Sequence, residues 1–497
     1  MAALTALVLV AFGFTVTASF HFDDYALLAD PFVTSSDGWL GVWRAEQTRP
    51  LTYFTFWLNY AVGGESPAGY HALSLLVHLI AVLLLHGTLS RLMPAQAAFV
   101  ATAIFAVHPI QAEPAAYIYA RATLLMGLFC ILSLRSWLDG KTWIATAWFA
   151  AALLAKEECA AFPVVLLLLQ FAASRDKREI GPIAAMTALA LAAGLRVIHV
   201  LSQTAAAAAG SGASVSALDY FSTQGVVILR YFRLLLVPYG FTVDPDIAIA
   251  SPAAALVSWG VLAGIALLAA RRFIGPGLGF WVLAGLVLLL PSSSIFPAND
   301  LAADRRVYLP LVFFAVFAAL VINRGRVWIR AAVIVALAVL TIGRVQTWRT
   351  ERSLWSEAVE RAPSKVRPRV QLSRASPPGE AIQLLEETKG MAPEDPLVAA
   401  EIGRRRLEMG QAAQALAEFG RALALAPRDP RAHNNRGAAL LSLGQLDAAR
   451  GDFERALELD PCQFDARLNL LRMGGRADVP PGCRFTPGQL RALAGPR

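Results

Sequence analysis

The chain of 497 residues is 56% hydrophobic and only 16% charged, whereas about a quarter of the residues in a typical soluble domain are charged. This composition excludes an ordinary soluble protein over most of the length and favours a membrane protein. The formal net charge of +8 therefore concerns membrane topology and lipid phosphates, and we expect no nucleic-acid partner.

Apolar segments of about 20 residues recur along the first 345 positions, and each can cross a hydrocarbon core of about 30 Å. We predict eleven membrane-spanning helices, near 3–20, 70–91, 95–108, 114–135, 142–156, 159–173, 180–200, 252–270, 277–291, 306–323 and 327–345. The first lacks the basic region and cleavage site of a secretory signal, so we expect it to be retained. The segment 219–240 is apolar but carries two arginines, which favours a re-entrant or interfacial position.

Basic residues in the short loops predict the orientation in the membrane. They are Arg91, Arg135, Lys141, the run 175–178, Arg271, Arg272, Arg324 and Arg326. All of them fall on one side if the N-terminus is cytoplasmic, and eleven crossings then put the C-terminal part outside. We therefore expect a multi-pass protein of the inner membrane whose C-terminal domain is extracytoplasmic.

Two adjacent acids, Asp23 and Asp24, follow directly after the first apolar segment, and residues 2–20 carry no charge at all. An ionised pair at the membrane boundary is costly unless something uses it. A carboxylate at this depth can accept a proton from a hydroxyl group, which predicts chemistry on a lipid-borne substrate.

Further polar residues fall in the outward-facing loops. The first external loop, 21–69, is followed by a corner with His108 and Glu113, and helical spacing predicts that Glu113, Tyr117 and Arg121 share one face. Two more outward turns carry acids and bases; they contain Lys156, Glu157 and Glu158, and Asp300, Asp304, Arg305, Arg306 and Tyr308. A single Glu–Arg pair is typical of a structural clamp, but several charges converging on one membrane surface favour a functional site.

The chain changes character after residue 346, where a period of 34 residues begins. Residues 396–427 superimpose on 430–461 without a gap, and the small and aromatic positions, Gly403 with Gly437 and Phe419 with Phe453, match. This pattern predicts tetratricopeptide (TPR) helix pairs. We expect a TPR domain over 346–480 and a tail over 481–497. A stack of repeats forms a peptide-binding groove, so a docking role without catalysis is favoured for this domain.

The motifs of the first 345 residues resemble those of a known family. They are Phe22-Asp23-Asp24, the corner from Phe105 to Arg121, Ala155-Lys156-Glu157, and the run from Asp304 to Pro310. Their order and spacing resemble the GT-C glycosyltransferases, and most closely the transmembrane-and-TPR protein O-mannosyltransferases and their bacterial relatives. The resemblance implies an all-α fold, in which a GT-C-type bundle over 1–345 precedes a TPR α-solenoid.

The resemblance also implies a reaction, the transfer of a mannose-like hexose from a polyprenyl-phosphate sugar to a hydroxyl group, such as that of a protein Ser or Thr, on the outer face. Asp23 would be the general base, and Asp24 would orient the acceptor or share the proton. Cations that would hold the lipid phosphate are Arg121, Lys156, Arg230, Arg233, Arg305 and Arg306, with His108, Glu113, Glu157 and Tyr308 in support. Alternatively, Arg230 and Arg233 reach lipid headgroups and His108 caps a helix.

The implied partners are the bilayer, the lipid-linked sugar donor and a protein or peptide acceptor in the TPR groove. The sequence requires no cofactor and contains no metal-ligand spacing, although a divalent cation between Asp23, Asp24 and the phosphate is allowed. No glycine-rich phosphate loop indicates nucleotide chemistry. Cys462 and Cys483 can pair if the tail is extracytoplasmic. Two alternatives stay open, a non-enzymatic membrane-anchored TPR scaffold for periplasmic assembly and a transporter of a lipid-linked sugar.

Overall fold

The computed structural model describes residues 1–44, 47–172, 179–207, 215–273, 277–293, 297, 300–475 and 478–494. Every regular element in these ranges is a helix, so the predicted all-α class is confirmed. The chain forms two compact units, 1–25 with 39–350 and 26–38 with 351–497. The basic run 175–178, which entered the topology prediction, lies outside the described residues.

The helices of the first 350 residues include eleven that coincide with the predicted spans. In chain order the helices are α1 Ala2–Phe12, α2 Asp24–Leu28, α3 Pro31–Thr34, α4 Gly38–Gly41, α5 Pro50–Gly63, α6 Pro67–Leu89, α7 Ala95–Val107, α8 Ala112–Ala116, α9 Arg121–Leu138, α10 Thr142–Ala155, α11 Phe162–Ala172, α12 Ile180–Ala207, α13 Ala217–Leu236, α14 Pro252–Arg271, α15 Leu278–Leu289, α16 Tyr308–Ile322 and α17 Val327–Thr347. Short 3-10 helices lie at Gly13–Thr17, Pro109–Gln111, Ile118–Ala120, Glu157–Ala161, Pro291–Ser293 and Asp304–Val307.

Six described helices are long and apolar enough to cross a membrane, namely Pro67–Leu89, Ile118–Leu138, Ile180–Val200, Pro252–Arg271, Asp304–Ile322 and Val327–Thr347. A bent pair, Ala95–Val107 with Pro109–Ala116, makes up to seven. The protein is therefore a multi-pass membrane protein. The four other predicted spans form helices of 17 residues or fewer, so the count of eleven stays a prediction. The helix α13 is not among the candidate spans, and its interfacial position also stays a prediction.

The helix α7 is the centre of the first unit. It is buried on nearly every face and contacts α1, α6, α16 and α17. Small side chains such as Ala98, Ala101 and Ala103 are fully buried on it and allow these neighbours to approach closely. The corner that follows α7 is therefore surrounded by other helices, and this places its polar residues among protein groups.

The remaining helices belong to the second unit: α18 Glu351–Arg361, α19 Val366–Arg374, α20 Pro378–Met391, α21 Pro396–Glu408, α22 Ala412–Leu425, α23 Pro430–Ser442, α24 Leu446–Leu459, α25 Phe464–Arg472 and α26 Pro487–Ala494. The pairs α21–α22 and α23–α24 occupy the two predicted TPR repeats. A disulfide joins Cys462 to Cys483, whose Cα atoms are 5.2 Å apart.

The structure divides the chain after residue 350, close to the predicted boundary at 345, and it also assigns one earlier segment to the second unit. Residues 26–38, which belong to the first external loop, group with the second unit. In this unit the guanidinium of Arg484 lies 4.6 Å from the ring centroid of Phe32. A short loop segment gives no sign of such distant packing in its sequence, because its partner residues lie more than 400 positions away in the chain.

Replacement of Gly403 by alanine should destabilise the second unit, because an added Cβ would lie 2.7 Å from the ring of Phe419. Such overpacking costs about 1–3 kcal/mol. Gly420, in the middle of α22, has nothing within 4 Å of an added Cβ, so Gly420→Ala is the matched control and should gain up to about 1 kcal/mol of helix propensity. Thermal unfolding of both variants measures the difference, and a stabilised Gly403→Ala protein would contradict the predicted interlocking.

Candidate active site

The predicted acid pair lies in a tight turn, and the structure gives the two acids different surroundings. Asp24 is fully buried and accepts hydrogen bonds from the backbone N–H groups of His21, at 3.0 Å, and Tyr119, at 2.7 Å. Asp23 is exposed and accepts a hydrogen bond from the hydroxyl group of Tyr117, at 2.7 Å. A buried carboxyl group that bonds two backbone segments holds them together, so Asp24 has a structural role beside the exposed Asp23.

Phe22, which precedes the pair, has a φ angle of 20°, the one positive value among the described residues other than glycine. A residue in this region carries strain of about 1–3 kcal/mol, which persists when its surroundings hold it. Nε2 of His21 lies 2.7 Å from the carbonyl oxygen of Trp348, and the ring of Phe22 packs 4.5 Å from that of Tyr117. The turn is thus held on both sides of a strained residue, which is typical of functional sites.

Burial raises the pKa of Asp24 from 3.8 to about 8, against the opposing effect of its backbone hydrogen bonds. The folded chain therefore keeps a proton that the unfolded chain loses above pH 3.8. The contribution of Asp24 to stability is full below that pH and is lost as the pH rises through about 8. We expect the unfolding midpoint of the wild type in detergent to fall over this range relative to that of Asp24→Asn. Parallel curves would contradict this assignment of the proton.

The predicted corner after α7 is built from short helical pieces. The helix α7 ends at Val107, and His108 begins the 3-10 helix Pro109–Gln111. Nδ1 of His108 accepts a hydrogen bond from the N–H group of Ile110, at 3.2 Å, and its Nε2 lies 3.3 Å from the carbonyl oxygen of Leu235. These contacts favour the alternative interpretation of His108 as a helix cap. A contact of His108 with the sugar stays a prediction.

The prediction that Glu113, Tyr117 and Arg121 share one helix face is wrong. Tyr117 has an extended backbone, with φ −89° and ψ 113°, and separates α8 from the next helical turn. The side chains of the three residues consequently have different partners. The hydroxyl of Tyr117 contacts Asp23, whereas Glu113 and Arg121 contact separate sets of residues.

Arg121, a predicted phosphate-binding residue, is fully buried. Its guanidinium donates hydrogen bonds to the carbonyl oxygen of Tyr70, at 2.8 Å, to Oγ of Ser74, at 3.1 Å, and to two oxygens of Thr55. It also lies 4.6 Å from the ring centroid of Phe56. These contacts join α5, α6 and α9 as a structural clamp. A phosphate-binding role for Arg121 stays a prediction without a supporting contact.

Glu113 and Arg305 form a close ion pair at the centre of the site. Oε1 of Glu113 lies 2.5 Å from Nη1 of Arg305, and Oε2 accepts a hydrogen bond from the backbone N–H group of Arg305, at 3.0 Å. Arg305 also pairs with Asp300, at 3.2 Å, and the adjacent Asp304 pairs with Arg230, at 2.8 Å. Three predicted site residues from distant parts of the chain, Glu113, Arg230 and Arg305, therefore belong to two groups of ion pairs that the adjacent residues Asp304 and Arg305 connect.

Lys156 is buried beside this network. Its ammonium group donates hydrogen bonds to Glu158, at 2.9 Å, and to Thr123, at 2.8 Å. Burial lowers the pKa of Lys156, Glu158 opposes this effect, and the positive charges of Arg49 and Arg305 lower the pKa further. Lys156 thus lies close enough to both arginines for their charges to act on it.

Glu157 pairs with an arginine of the first external loop that the sequence prediction missed. Nη2 and Nε of Arg49 lie 2.8 and 3.2 Å from its two carboxylate oxygens. Burial alone would raise the pKa of Glu157, but the paired Arg49 brings it to about 2. The next residue, Glu158, has its pKa held below the ordinary value by Lys156 and Arg306, although burial opposes them. The one signal for Arg49 was its place in the same loop as the acid pair.

Tyr308 and Arg233, two further predicted site residues, make contacts of other kinds than the ion pairs described above. Tyr308 is buried, and its hydroxyl lies 3.0 Å from Nδ1 of His78. An added Cβ at Gly127 would lie 2.4 Å from the Tyr308 ring, so this glycine makes room for the ring. Tyr308 therefore packs between helices, and its support of the reaction stays a prediction. Arg233 is exposed and donates a hydrogen bond to the carbonyl oxygen of Tyr239 at 3.2 Å.

We call the buried and half-buried ionic residues the charged cluster: Arg49, Glu113, Lys156, Glu157, Glu158, Arg230, Asp300, Asp304, Arg305 and Arg306. Tyr117 connects this cluster to the acid pair, because its hydroxyl donates a hydrogen bond to Asp23 and its backbone N–H group donates one to the carbonyl oxygen of Glu113. Contacts thus connect Asp23 through Tyr117 to Glu113 and Arg305, and a common site for these residues and Lys156 stays a prediction. The acids of the charged cluster all have cation partners, whereas Asp23 is exposed and bonds the hydroxyl of Tyr117.

A divalent cation held by both acids is not supported by the donor atoms. Both oxygens of Asp24 already accept backbone N–H groups. In the described part of the chain, no group of three or more His, Cys, Asp or Glu residues could hold a metal ion. A divalent cation between Asp23, Asp24 and the phosphate stays a prediction.

Comparison with known proteins agrees with the predicted resemblance. A tetratricopeptide repeat family model matches residues 401–463. The protein O-mannosyl-transferase F38B6.6 of Caenorhabditis elegans is 25% identical over 397 residues, which cover 70% of this chain and 56% of the relative. The protein O-mannosyl-transferase TMTC4 of Homo sapiens is 26% identical over 401 residues, with 63% and 53% covered.

A third relative matches a shorter part of the chain. The protein O-mannosyl-transferase Tmtc1 of Drosophila melanogaster is 33% identical over 179 residues, which cover 32% of this chain and 21% of the relative. The chain spans about half the length of the first two relatives. The resemblance to the transmembrane-and-TPR O-mannosyltransferases is therefore confirmed, both by these similar proteins and by the TPR match.

Proposed function

We propose that the chain transfers a mannose-like hexose from a polyprenyl-phosphate sugar to a Ser or Thr hydroxyl of a protein acceptor. The observation that carries the proposal is the contrast between Asp23 and its surroundings. The acids of the charged cluster are all in ion pairs and Asp24 accepts two backbone hydrogen bonds, whereas Asp23 is exposed and has one partner, the hydroxyl of Tyr117, among the described residues. An exposed carboxylate next to buried cations suits a general base beside an anion site.

In the proposed reaction the acceptor oxygen attacks the anomeric carbon while Asp23 takes the hydroxyl proton. The bond between the anomeric carbon and the phosphate oxygen breaks, and the lipid phosphate leaves as an anion, with inversion at the sugar. Nearby cations lower the cost of that developing negative charge. Asp24, protonated and bonded to backbone, keeps the turn of Asp23 in place.

The phosphate is best assigned to Arg230 and Arg233. Nη2 of Arg230 is buried without a hydrogen-bond partner among the described residues, although Nη1 pairs with Asp304. Arg233 lies three residues further along α13, on the same side of that helix, and is exposed. Arg306 is a weaker candidate, since its guanidinium donates to the backbone carbonyls of Asp300 and Leu301. Lys156 and Arg305 already have carboxylate partners.

We place the reaction and the TPR unit on the extracytoplasmic face of the inner membrane. The basic short loops support this orientation. The Cys462–Cys483 disulfide also supports it, because disulfides persist in oxidising compartments and are rare in the cytosol. The helix pairs of the TPR unit would present or select the protein acceptor in their groove.

The test is a transfer assay with the purified full chain in liposomes. The donors are labelled polyprenyl-phosphate mannose, polyprenyl-phosphate glucose and a nucleotide sugar, and the acceptor is an extract of periplasmic proteins. We expect label to move from the polyprenyl-phosphate mannose to protein, and alkaline β-elimination should release it from Ser and Thr. No transfer from any polyprenyl carrier would contradict the proposal and favour the TPR scaffold. Label in lipid or glycan alone would contradict the protein acceptor.

A further inference from the structure

Tyr117 is fixed by contacts that do not involve Asp23. Its side chain is almost fully buried, and its ring stacks on that of Trp348, with centroids 5.9 Å apart and an interplanar angle of 25°. The ring of Phe22 packs against it, at 4.5 Å. Its backbone N–H group donates a hydrogen bond to the carbonyl oxygen of Glu113, at 3.0 Å. The position of the phenol is thus set by the surrounding structure.

The hydroxyl of Tyr117 donates its hydrogen bond to Oδ2 of Asp23, at 2.7 Å. Oδ1 of Asp23 has no hydrogen-bond partner in the part of the chain that the structure describes. One oxygen of the carboxylate is held and the other is left for a ligand.

We propose that Tyr117 is the positioning residue of Asp23 in sugar transfer, an inference that rests on the proposed function. With Oδ2 held by a fixed phenol, the rotation of the Asp23 carboxylate is restricted and Oδ1 stays directed at the acceptor hydroxyl. A base whose reactive oxygen is held in place loses less orientational freedom when the transition state forms. Tyr117 itself neither takes the proton nor touches the sugar.

The same phenol also connects the base to the charged cluster. The carbonyl oxygen of Glu113 holds the backbone of Tyr117, and the carboxylate of Glu113 binds Arg305. Glu113 thus contacts both Tyr117, through its backbone, and Arg305, through its side chain. Glu113 therefore connects the cation of Arg305 to the tyrosine that holds the base.

The test compares two phenylalanine substitutions that each remove one hydroxyl and keep the ring. Tyr117→Phe should lower kcat by about ten- to hundredfold, the effect expected for a misplaced catalytic group, with the KM for the lipid donor changed less than about twofold. Tyr119→Phe is the matched control, because its hydroxyl lies 3.5 Å from that of Tyr53 and does not bond Asp23. Its kcat should stay within about twofold of the wild type.

A second comparison separates positioning from a general structural role. In an Asp23→Asn background, Tyr117→Phe should leave the small residual rate unchanged, because a group that cannot accept the proton gains nothing from being held. An equal fractional loss in both backgrounds, or a lowered unfolding midpoint that accounts for the loss, would overturn the inference.

The two proposals fail in different ways. Wild-type kcat in Tyr117→Phe, together with an active wild type and an inactive Asp23→Asn, would overturn the positioning role and leave the proposed function standing. A wild type that transfers no sugar from any polyprenyl carrier would overturn both.

Discussion

Replacement of Asp23 by asparagine should lower the rate of sugar transfer by about a thousandfold and leave the chain folded, since general-base catalysis is worth about 10²–10⁴-fold. The amide has the shape of the carboxylate but cannot take the proton of the acceptor hydroxyl. Its carbonyl oxygen can still accept the hydrogen bond of Tyr117, so the turn should keep its conformation. Initial rates with polyprenyl-phosphate mannose, together with the unfolding midpoint, measure the two effects separately.

The matched control is Glu65→Gln, which neutralises another exposed acid of the first external loop. Glu65 is not part of the charged cluster, so the transfer rate should change less than twofold, as expected for a surface charge outside the site. If Asp23→Asn kept more than a tenth of the wild-type rate, the general base would have to be another group.

Glu113→Gln should destabilise the first unit by about 3 kcal/mol, at the lower end of the cost of breaking a buried ion pair. The carboxylate of Glu113 is 6% exposed and binds both the guanidinium and the backbone N–H group of Arg305. A glutamine has one oxygen in place of two and no charge, so Arg305 would keep Asp300 as its one acidic partner among the described residues. Unfolding in mixed micelles measures the loss.

Asp139→Asn tests whether the burial of the Glu113–Arg305 pair is the cause of the expected destabilisation. Asp139 also pairs with an arginine, Arg91, but the two side chains are 34% and 38% exposed. An exposed pair contributes about 0–1 kcal/mol, so this variant should unfold close to the wild type. Equal losses in the two variants would show that the Glu113–Arg305 pair gains nothing from its buried position.

The repeats and the convergence of the site could be predicted because each follows from a local pattern. A period of 34 residues with Gly403 and Phe419 in the same register as Gly437 and Phe453 defines how helix pairs interlock, and the structure puts each ring over its glycine. Acids and bases that recur in alternate loops of a membrane protein lie on one surface. The sequence therefore predicts that Glu113 and Arg305 lie on the same membrane surface.

The roles of individual residues could not be predicted, because they depend on partners far away in the chain. Arg121 was assigned to a phosphate, but carbonyl oxygens of α5 and α6 satisfy its guanidinium. Two adjacent acids look alike in a sequence, and the distinction comes from distant partners: the backbone N–H group of Tyr119 bonds Asp24, whereas the hydroxyl of Tyr117 bonds Asp23. The extended backbone of Tyr117 removed the shared face that regular helical spacing predicted.

Residues 26–38 belong to the second unit, although this segment begins only two residues after Asp24. The chain rejoins the first unit at residue 39. A protein shortened after Thr350 would lack Arg484, whose guanidinium contacts the ring of Phe32, so residues 26–38 would lose the unit to which they belong. Chimeras that exchange the TPR solenoid between relatives should therefore be most stable when residues 26–38 are exchanged together with it. Among relatives, we expect the sequence of residues 26–38 to vary together with that of residues 351–497.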